Sequence, residues 1–243
     1  MAKPKYKRIL LKLSGETLLP QGAKHGISMD AAEWIASEIK EVCDLGVSVA
    51  VVIGGGNIFR GGQAEAAGMN RVRADSMGML ATVLNGLALQ EALERLNVPL
   101  HHLTAIEIAT VAELFIPQIA DNYYQKGNVL ILTGGTGHPY FSTDTAASLR
   151  AAEIRTEVIL KGTKVDGVYD SDPMKNPQAK RFEKLTFDEV LARQLKVMDS
   201  TSISMCRENN IPIVVFNIFE KGNLLKAVMG ENIGTVVYGR KDL

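Results

Sequence analysis

Apolar positions in this chain alternate between short unbroken runs and longer stretches in which they return every three or four residues. The first pattern suits strands buried on both faces and the second suits helices with one covered side. Tyr6 to Leu13 reads as a strand, and Ser28 or Asp30 caps a helix reaching about Leu45, with Ala32, Ile35, Ala36, Ile39 and Val42 on one side. Gly46 ends that helix and Val47 to Ile53 follows as a second strand, which makes a parallel βαβ unit. Leu18 to Ile27, with Pro20, Gly22 and Gly26, has no period and reads as an exposed loop.

The alternation continues to the end. Asn57 to Ala67 reads as a short helix, and Arg71 and Arg73 precede a long one, about Ala74 to Leu96. In it Met77, Leu80, Ala81, Leu84, Leu87 and Ala88 make a broad apolar face, which Val83 and Leu89 widen nearly all round. Such a helix is buried inside one subunit or between subunits. Strands are expected at Pro99 to Leu103, Asn128 to Leu132, Glu157 to Lys161, Ile213 to Phe216 and Gly234 to Val237. Helices are expected at Glu113 to Lys126, Asp144 to Ile154 with Thr143 as its cap, Phe187 to Gln194, Asp199 to Asn209 and Gly222 to Met229. Asp166-Gly167 and Asp172-Pro173 mark a hairpin or open loop. The pattern is that of an α/β protein, and 243 residues suit one domain spanning 1–243.

Charge then narrows the partners. Lys+Arg and Asp+Glu both number 27, so no global field draws the chain to nucleic acid or to an anionic membrane. No run approaches the ~20 apolar residues of a membrane span. Lys12 interrupts the N-terminal apolar run, which is too short for a signal peptide, so a cytoplasmic protein is expected. Cys43 and Cys206 lack metal-ligand spacing and read as buried free thiols.

Three strands end in glycine. Val49 to Ile53 stops in Gly54, Gly55 and Gly56, Lys7 to Leu13 ends in Ser14-Gly15, and Val129 to Leu132 runs into Thr133, Gly134, Gly135, Thr136 and Gly137. Backbone N–H groups without a neighbouring Cβ admit a phosphate closely, and ligands of open α/β sheets sit beyond the carboxyl ends of the strands. One shared anion crevice is therefore expected. It is not a Walker A loop, because no Lys follows the required glycine spacing. Nor is it the dinucleotide fingerprint, since Phe59 and Tyr140 occupy the third-glycine places.

Lys12, one residue before the end of its strand, stands where a cation would neutralise a transferring phosphoryl group, although a lone strand-end lysine also snorkels into solvent. Asp144 and Asp199 open helices, where an acid is at home without any function, or they orient Lys12 and a Mg²⁺ ion. Asp75 accepts hydrogen bonds from a ribose, or merely caps.

These residues, with Lys12-Leu13-Ser14-Gly15, Gly54 to Asn57, Gly68 to Arg71, Met77 to Thr82, Thr136 to Phe141, Lys161, Thr163 to Val168, Leu195 to Asp199 and Phe216-Asn217, resemble the amino acid kinase family, and within it the uridylate (UMP) kinase branch. The resemblance spans essentially the whole chain. It implies a three-layer αβα sandwich around a mostly parallel, roughly eight-stranded sheet, a homohexamer, and phosphoryl transfer from Mg·ATP to UMP. The N-terminal part would serve UMP and the C-terminal part ATP. By resemblance Lys12, Asp144, Asp199 and Arg60 are catalytic, and Lys12, Leu13, Ser14, Gly15, Gly56, Arg60, Thr163, Tyr169 and Asp172 hold ATP. Gly55, Asp75, Thr136, Gly137, His138, Pro139, Tyr140, Phe141, Ser142 and Thr143 would hold UMP. Mg²⁺ would arrive on the ATP phosphates, with no direct protein ligand. UTP would inhibit, and GTP would act through Gln21, Gly22, Ala23, Lys24, His25 and Gly26, although Gln90 and Glu94 stand where some relatives carry basic residues. His138 replaces an Asn of many relatives and can still donate a hydrogen bond. Two rivals stay open: a sibling kinase with a carboxylate or carbamate acceptor, and a nucleotide-binding protein without turnover.

Overall fold

The computed structural model describes residues 3–171, 173, 175–176 and 178–239. Nine strands form one sheet: β1 Arg8–Leu13, β2 Ser48–Ile53, β3 Leu100–Thr104, β4 Glu113–Leu114, β5 Val129–Thr133, β6 Val158–Thr163, β7 Lys184–Thr186, β8 Ile213–Asn217 and β9 Thr235–Tyr238. Their order is β4-β3-β5-β2-β1-β6-β8-β9-β7, and the only antiparallel pair among the described residues is β8 with β9. The two strands beyond the sequence expectation are short, β4 with two residues and β7 with three, and neither is long enough to leave a periodic signal. Tyr169 and Arg181 form an isolated antiparallel bridge in the segment expected to be a hairpin or open loop.

Among the described residues seven α-helices cover the two faces. On one side α1 (Met29–Cys43), α3 (Arg71–Arg95) and α8 (Asn223–Met229) pack on Ile9, Leu11, Val49 and Val51. On the other, α4 (Pro117–Gln125), α5 (Thr143–Glu153), α6 (Phe187–Ala192) and α7 (Ser200–Glu208) pack on Leu10, Ala50, Val52 and Ile159. Both faces of the central strands are dry, which is why their sequences are apolar without alternation. The six-residue α2 (Gly61–Ala66) lies between β2 and α3. No helix among the described residues is long and apolar enough to cross a membrane.

Several boundaries differ from the sequence expectation for local reasons. The helix expected from Glu113 begins at Pro117, whose fixed φ and missing N–H suit the first helical turn, while Glu113–Leu114 pairs with β3. Asn70 caps α3, so Arg71 and Arg73 lie inside that helix. Ser142 rather than Thr143 caps α5, accepting from the backbone N–H groups of Asp144 and Thr145. Leu18 is not in an exposed loop: it is fully buried at the end of a 3-10 turn, Gly15–Leu18. Ser28 N–H donates to its carbonyl at 2.7 Å, so the loop between them leaves and returns at one point.

The apolar residues of α3 divide by side of the helix. Ala81, Val83, Ala88 and Leu89 are buried, whereas Met77, Leu80, Leu84 and Leu87 face outward. The helix is apolar nearly all round in sequence, yet only one side of it is covered by the rest of the chain.

At the amino end of the strands, Tyr124 is fully buried and its hydroxyl lies 2.7 Å from the Ile9 carbonyl and 3.0 Å from that of Ser48. Arg8 covers its ring and reaches Asp121 at 2.5 Å. Tyr124→Phe removes a buried donor and is expected to cost about 1–3 kcal/mol. At ~2–4 °C per kcal/mol for a domain of this size, calorimetry should show a fall of several degrees in Tm with turnover unchanged, because the strand ends that bear the glycine loops lie at the opposite edge of the sheet.

Candidate active site

Register places the central pair of charges. β1 and β6 are parallel neighbours with Lys12 opposite Lys161, so both side chains leave the same face of the sheet, towards α5. Asp144, in the first turn of α5, meets both: Lys12 Nζ lies 2.6 Å from Oδ1 and Lys161 Nζ 3.1 Å from Oδ2. Lys161 also donates to the Val197 carbonyl at 2.5 Å. Lys12 and Lys161 thus approach opposite oxygens of the one carboxylate.

Burial alone would raise the Asp144 carboxyl, but Lys12 and then Lys161 outweigh it and hold it below the ordinary carboxylate range. Lys161 moves down because burial strips its hydration, an effect that Asp144 only partly offsets and Lys12 reinforces. Two ammonium groups thus share one carboxylate at the carboxyl edge of the sheet.

Asp199 sits at the junction of two helices. Its carboxylate caps α7 through Ser202 N–H at 2.9 Å, takes the Thr145 hydroxyl at 3.0 Å and accepts from Ser142 Oγ. It ties the first turns of α5 and α7 together and makes no direct contact with Lys12 among the described residues. Lys161 is the residue that sequence reasoning left without a role. The only signal was its place in a strand-ending Lys-Gly-Thr, and strand order was needed to bring it opposite Lys12.

The glycine loops are held from behind by α3. Asn57 and Asn85, both fully buried, exchange side-chain amide hydrogen bonds of 3.0 and 2.7 Å, and Asn85 also donates to the Gly54 carbonyl at 2.7 Å. Thr82 Oγ accepts from Gly134 N–H at 2.8 Å, so the same helix fixes the third loop. A Cβ on Gly15 would meet the Asn57 Oδ1 at 2.2 Å, and one on Gly55 would meet the Ala81 Cβ at 2.7 Å; neither position admits a side chain. Around Gly56 the space is open.

Two clefts flank this centre. One, of about 300 Å³, is lined by Gly55, Gly56, Arg60, Asp75, Thr136, His138, Phe141, Ser142 and Thr143. Of the residues expected there, Gly137 packs on Ala105, Pro139 is outside the wall and Tyr140 is largely exposed. Tyr140 has φ 71° and donates its N–H to Asp75 Oδ2 at 2.8 Å, and Arg71 Nε reaches the same oxygen at 2.7 Å. The second cleft, about 320 Å³, is lined by Lys12, Ser14, Glu16, Lys161, Thr163, Lys164 and Phe219. Leu13 is in the core and offers the site only backbone, while Gly56 and Arg60 face the first cleft. Tyr169 bonds Asp166 outside both walls, and Asp172 lies outside the described residues.

Gly54 lies between the loops of the two clefts: a side chain there would meet Gly15 N at 3.3 Å and Thr143 Oγ1 at 3.7 Å. Across their mouths Glu16 pairs with Arg60 at 2.5 Å and Lys164 at 3.0 Å, and these two cations hold its carboxyl below the usual range, the Lys164 hydrogen bond most strongly. A third hollow, about 310 Å³, brings Ala23, Lys24 and His25 beside Glu16, Arg60 and Lys164, while Gln21, Gly22 and Gly26 stay outside it.

This architecture is shared with known proteins. The structure of UMP kinase from Bacillus anthracis superposes with a TM-score of 0.92 at 39% identity, covering 96% of both chains. That of UMP kinase from Ureaplasma parvum gives 0.90 at 40% identity, over 96% of this chain and 99% of the other. The uridylate kinase of Archaeoglobus fulgidus gives 0.72 at 27% identity, over 94% and 99%. Residues 7–217 match the model of the amino acid kinase family, and with the paired lysines, the shared carboxylate and the glycine-walled clefts at the same strand ends, the chain belongs to that family.

Proposed function

We propose that the protein is a UMP kinase, moving the γ-phosphoryl group of ATP to a UMP phosphate oxygen to give UDP and ADP for pyrimidine nucleotide synthesis. The observation that carries this reading is the pair Lys12 and Lys161, which share Asp144 and line the second cleft beside the glycine loops that wall the first. ATP would lie on the Lys12, Ser14, Thr163 and Lys164 side, and UMP on the Gly55, Asp75 and Thr136 to Thr143 side. Full-length likeness to two UMP kinases at 39 and 40% identity supports the choice of acceptor over a carboxylate or carbamate.

The acceptor oxygen is already ionised at neutral pH, so the reaction needs no general base and rests on positioning and charge neutralisation. Lys12 and Lys161 approach the transferring group from one side, the amino end of α5 adds its dipole, and Asp144 keeps both ammonium groups aimed. Asp199 acts on this centre through Thr145 and Ser142 rather than on substrate. Asp75, steadied by Arg71 and Tyr140 N–H, faces a ribose hydroxyl, and His138 offers an imidazole near the acceptor phosphate.

Among the described residues no three His, Cys, Asp or Glu side chains converge as a metal cage. Asp144 and Asp199 are already engaged by cations and hydroxyls, a donor set that suits a Mg²⁺ ion carried on the nucleotide's own phosphates. Bound there, the ion would neutralise charge on the transferring phosphates. The same reading has UTP compete at the acceptor cleft and GTP act at the hollow beside Lys24 and His25. It also has Met77, Leu80, Leu84 and Leu87 buried by self-association, in a homohexamer, and the enzyme working in the cytoplasm.

Offered Mg·ATP with UMP, CMP, N-acetylglutamate and aspartate in parallel, the purified protein is expected to release ADP with UMP alone. Turnover with an amino acid would move it to a sibling branch, and silence with all four would make it a binding protein. The alkaline side of the kcat profile provides a second test. Lys161 acts as its charged form and burial lowers its pKa, so activity should fall as pH rises through a value below the ~10.4 of a free lysine. A profile flat beyond that value would remove Lys161 from the mechanism.

A further inference from the structure

Behind the two carboxylates runs a buried line of small polar groups that the phosphoryl-transfer reading does not use. Ser148 of α5, and Ser202 and Cys206 of α7, are all fully buried. The two serine hydroxyls are hydrogen-bonded to each other, and Cys206 Sγ lies 3.2 Å from Ser148 Oγ. Ser202 Oγ approaches the Asp144 carbonyl at 3.1 Å and Ser148 Oγ approaches it at 3.3 Å.

Each hydroxyl has one proton to give, and burial pushes the Cys206 thiol up to about 11, so it remains a donor. If Ser148 donates to Ser202, then Ser202 donates to the Asp144 carbonyl. If Ser202 donates to Ser148, then Ser148 donates to it. Either way the chain starts at Cys206 and ends on the backbone of Asp144, whose side chain holds Lys12 and Lys161.

Three polar groups in an otherwise apolar layer cost stability unless they satisfy one another, and alanines there would pack without that cost. What the polar line adds is a fixed place for one carbonyl. The Asp199 carboxylate, capping α7, grips the first turn of α5, and Ser202 in the first turn of α7 grips the Asp144 carbonyl, so the two helices are pinned at this level. Neither serine lines a cleft.

We infer that Ser202, backed by Ser148, is a positioning residue for phosphoryl transfer, setting the backbone of Asp144 so that its carboxylate reaches both lysines at once. The inference rests on the reading of Lys12, Asp144 and Lys161 as the transfer centre. An ångström of misplacement in such a centre costs up to ~100-fold in rate.

Ser202→Ala is expected to lower kcat about tenfold, keep KM for ATP and UMP within twofold, and shift the ammonium ¹⁵N resonance of Lys161 in lysine-labelled protein. Ser202→Cys, which keeps a weak donor, should recover at least half of the lost turnover. Unchanged kcat with unmoved lysine resonances would overturn the inference, and so would a loss that follows Tm and is not rescued by Cys. Should Ser202→Ala not fold, Ser148→Ala takes its place: a lowered kcat with a shifted Lys161 resonance supports the positioning role, and no change in either overturns it. If the wild-type chain turns over no UMP, the functional reading fails, and the Lys161 resonance alone decides the positioning role.

Discussion

Two ammonium groups sharing one carboxylate are the constraint around which the fold is arranged. Lys12 and Lys161 stand on adjacent strands and Asp144 on the first turn of a helix, so the cluster exists only when β1, β6 and α5 are all in place. Side-chain exposures of 11, 15 and 18% put these charges largely out of water, where removing one member of a pair costs ~3–5 kcal/mol. A site with spare positive charge is costly to hold and productive to fill. The expense is met by the apolar layers on both sides of the sheet.

Much of this was legible in the chain. Unbroken apolar runs marked the buried strands, and glycines at three strand ends marked the crevice; β5, β2 and β1 are neighbours in the sheet and carry those loops side by side. Lys12 and Asp144 could be proposed from place alone. Lys161 could not, because its partnership with Lys12 depends on strand order, which no local pattern reveals. Asp199 was legible as a helix cap, but its grip on Thr145 and Ser142 was not, since contacts between two helices have no signature in either. Glu113–Leu114 and Lys184–Thr186 were too short to show as strands, and Leu18 was hidden in a loop by the proline and glycines that follow it.

The helix α3 links the parts. Its small residues let the glycine loop approach, as Ala81 does at Gly55, and Asn85 and Thr82 fix two loops by hydrogen bonds. On its other side Leu80 and Leu84 point outward at 48 and 50% exposure, while Leu89 and Leu93 face the core. That outward face belongs to the same helix that shapes both glycine loops.

The central claim is that Lys12 and Lys161 act as one unit on the transferring phosphate. A kinetic cycle over wild type, Lys12→Ala, Lys161→Ala and the double variant tests it most directly, with kcat measured at saturating Mg·ATP and UMP. The expected result is strong non-additivity: each single change lowers kcat by about 10²–10³-fold and the second adds little, as for groups that work together. Losses that simply multiply would mean that the lysines serve separate steps, and a near-normal kcat in either single variant would contradict the account outright.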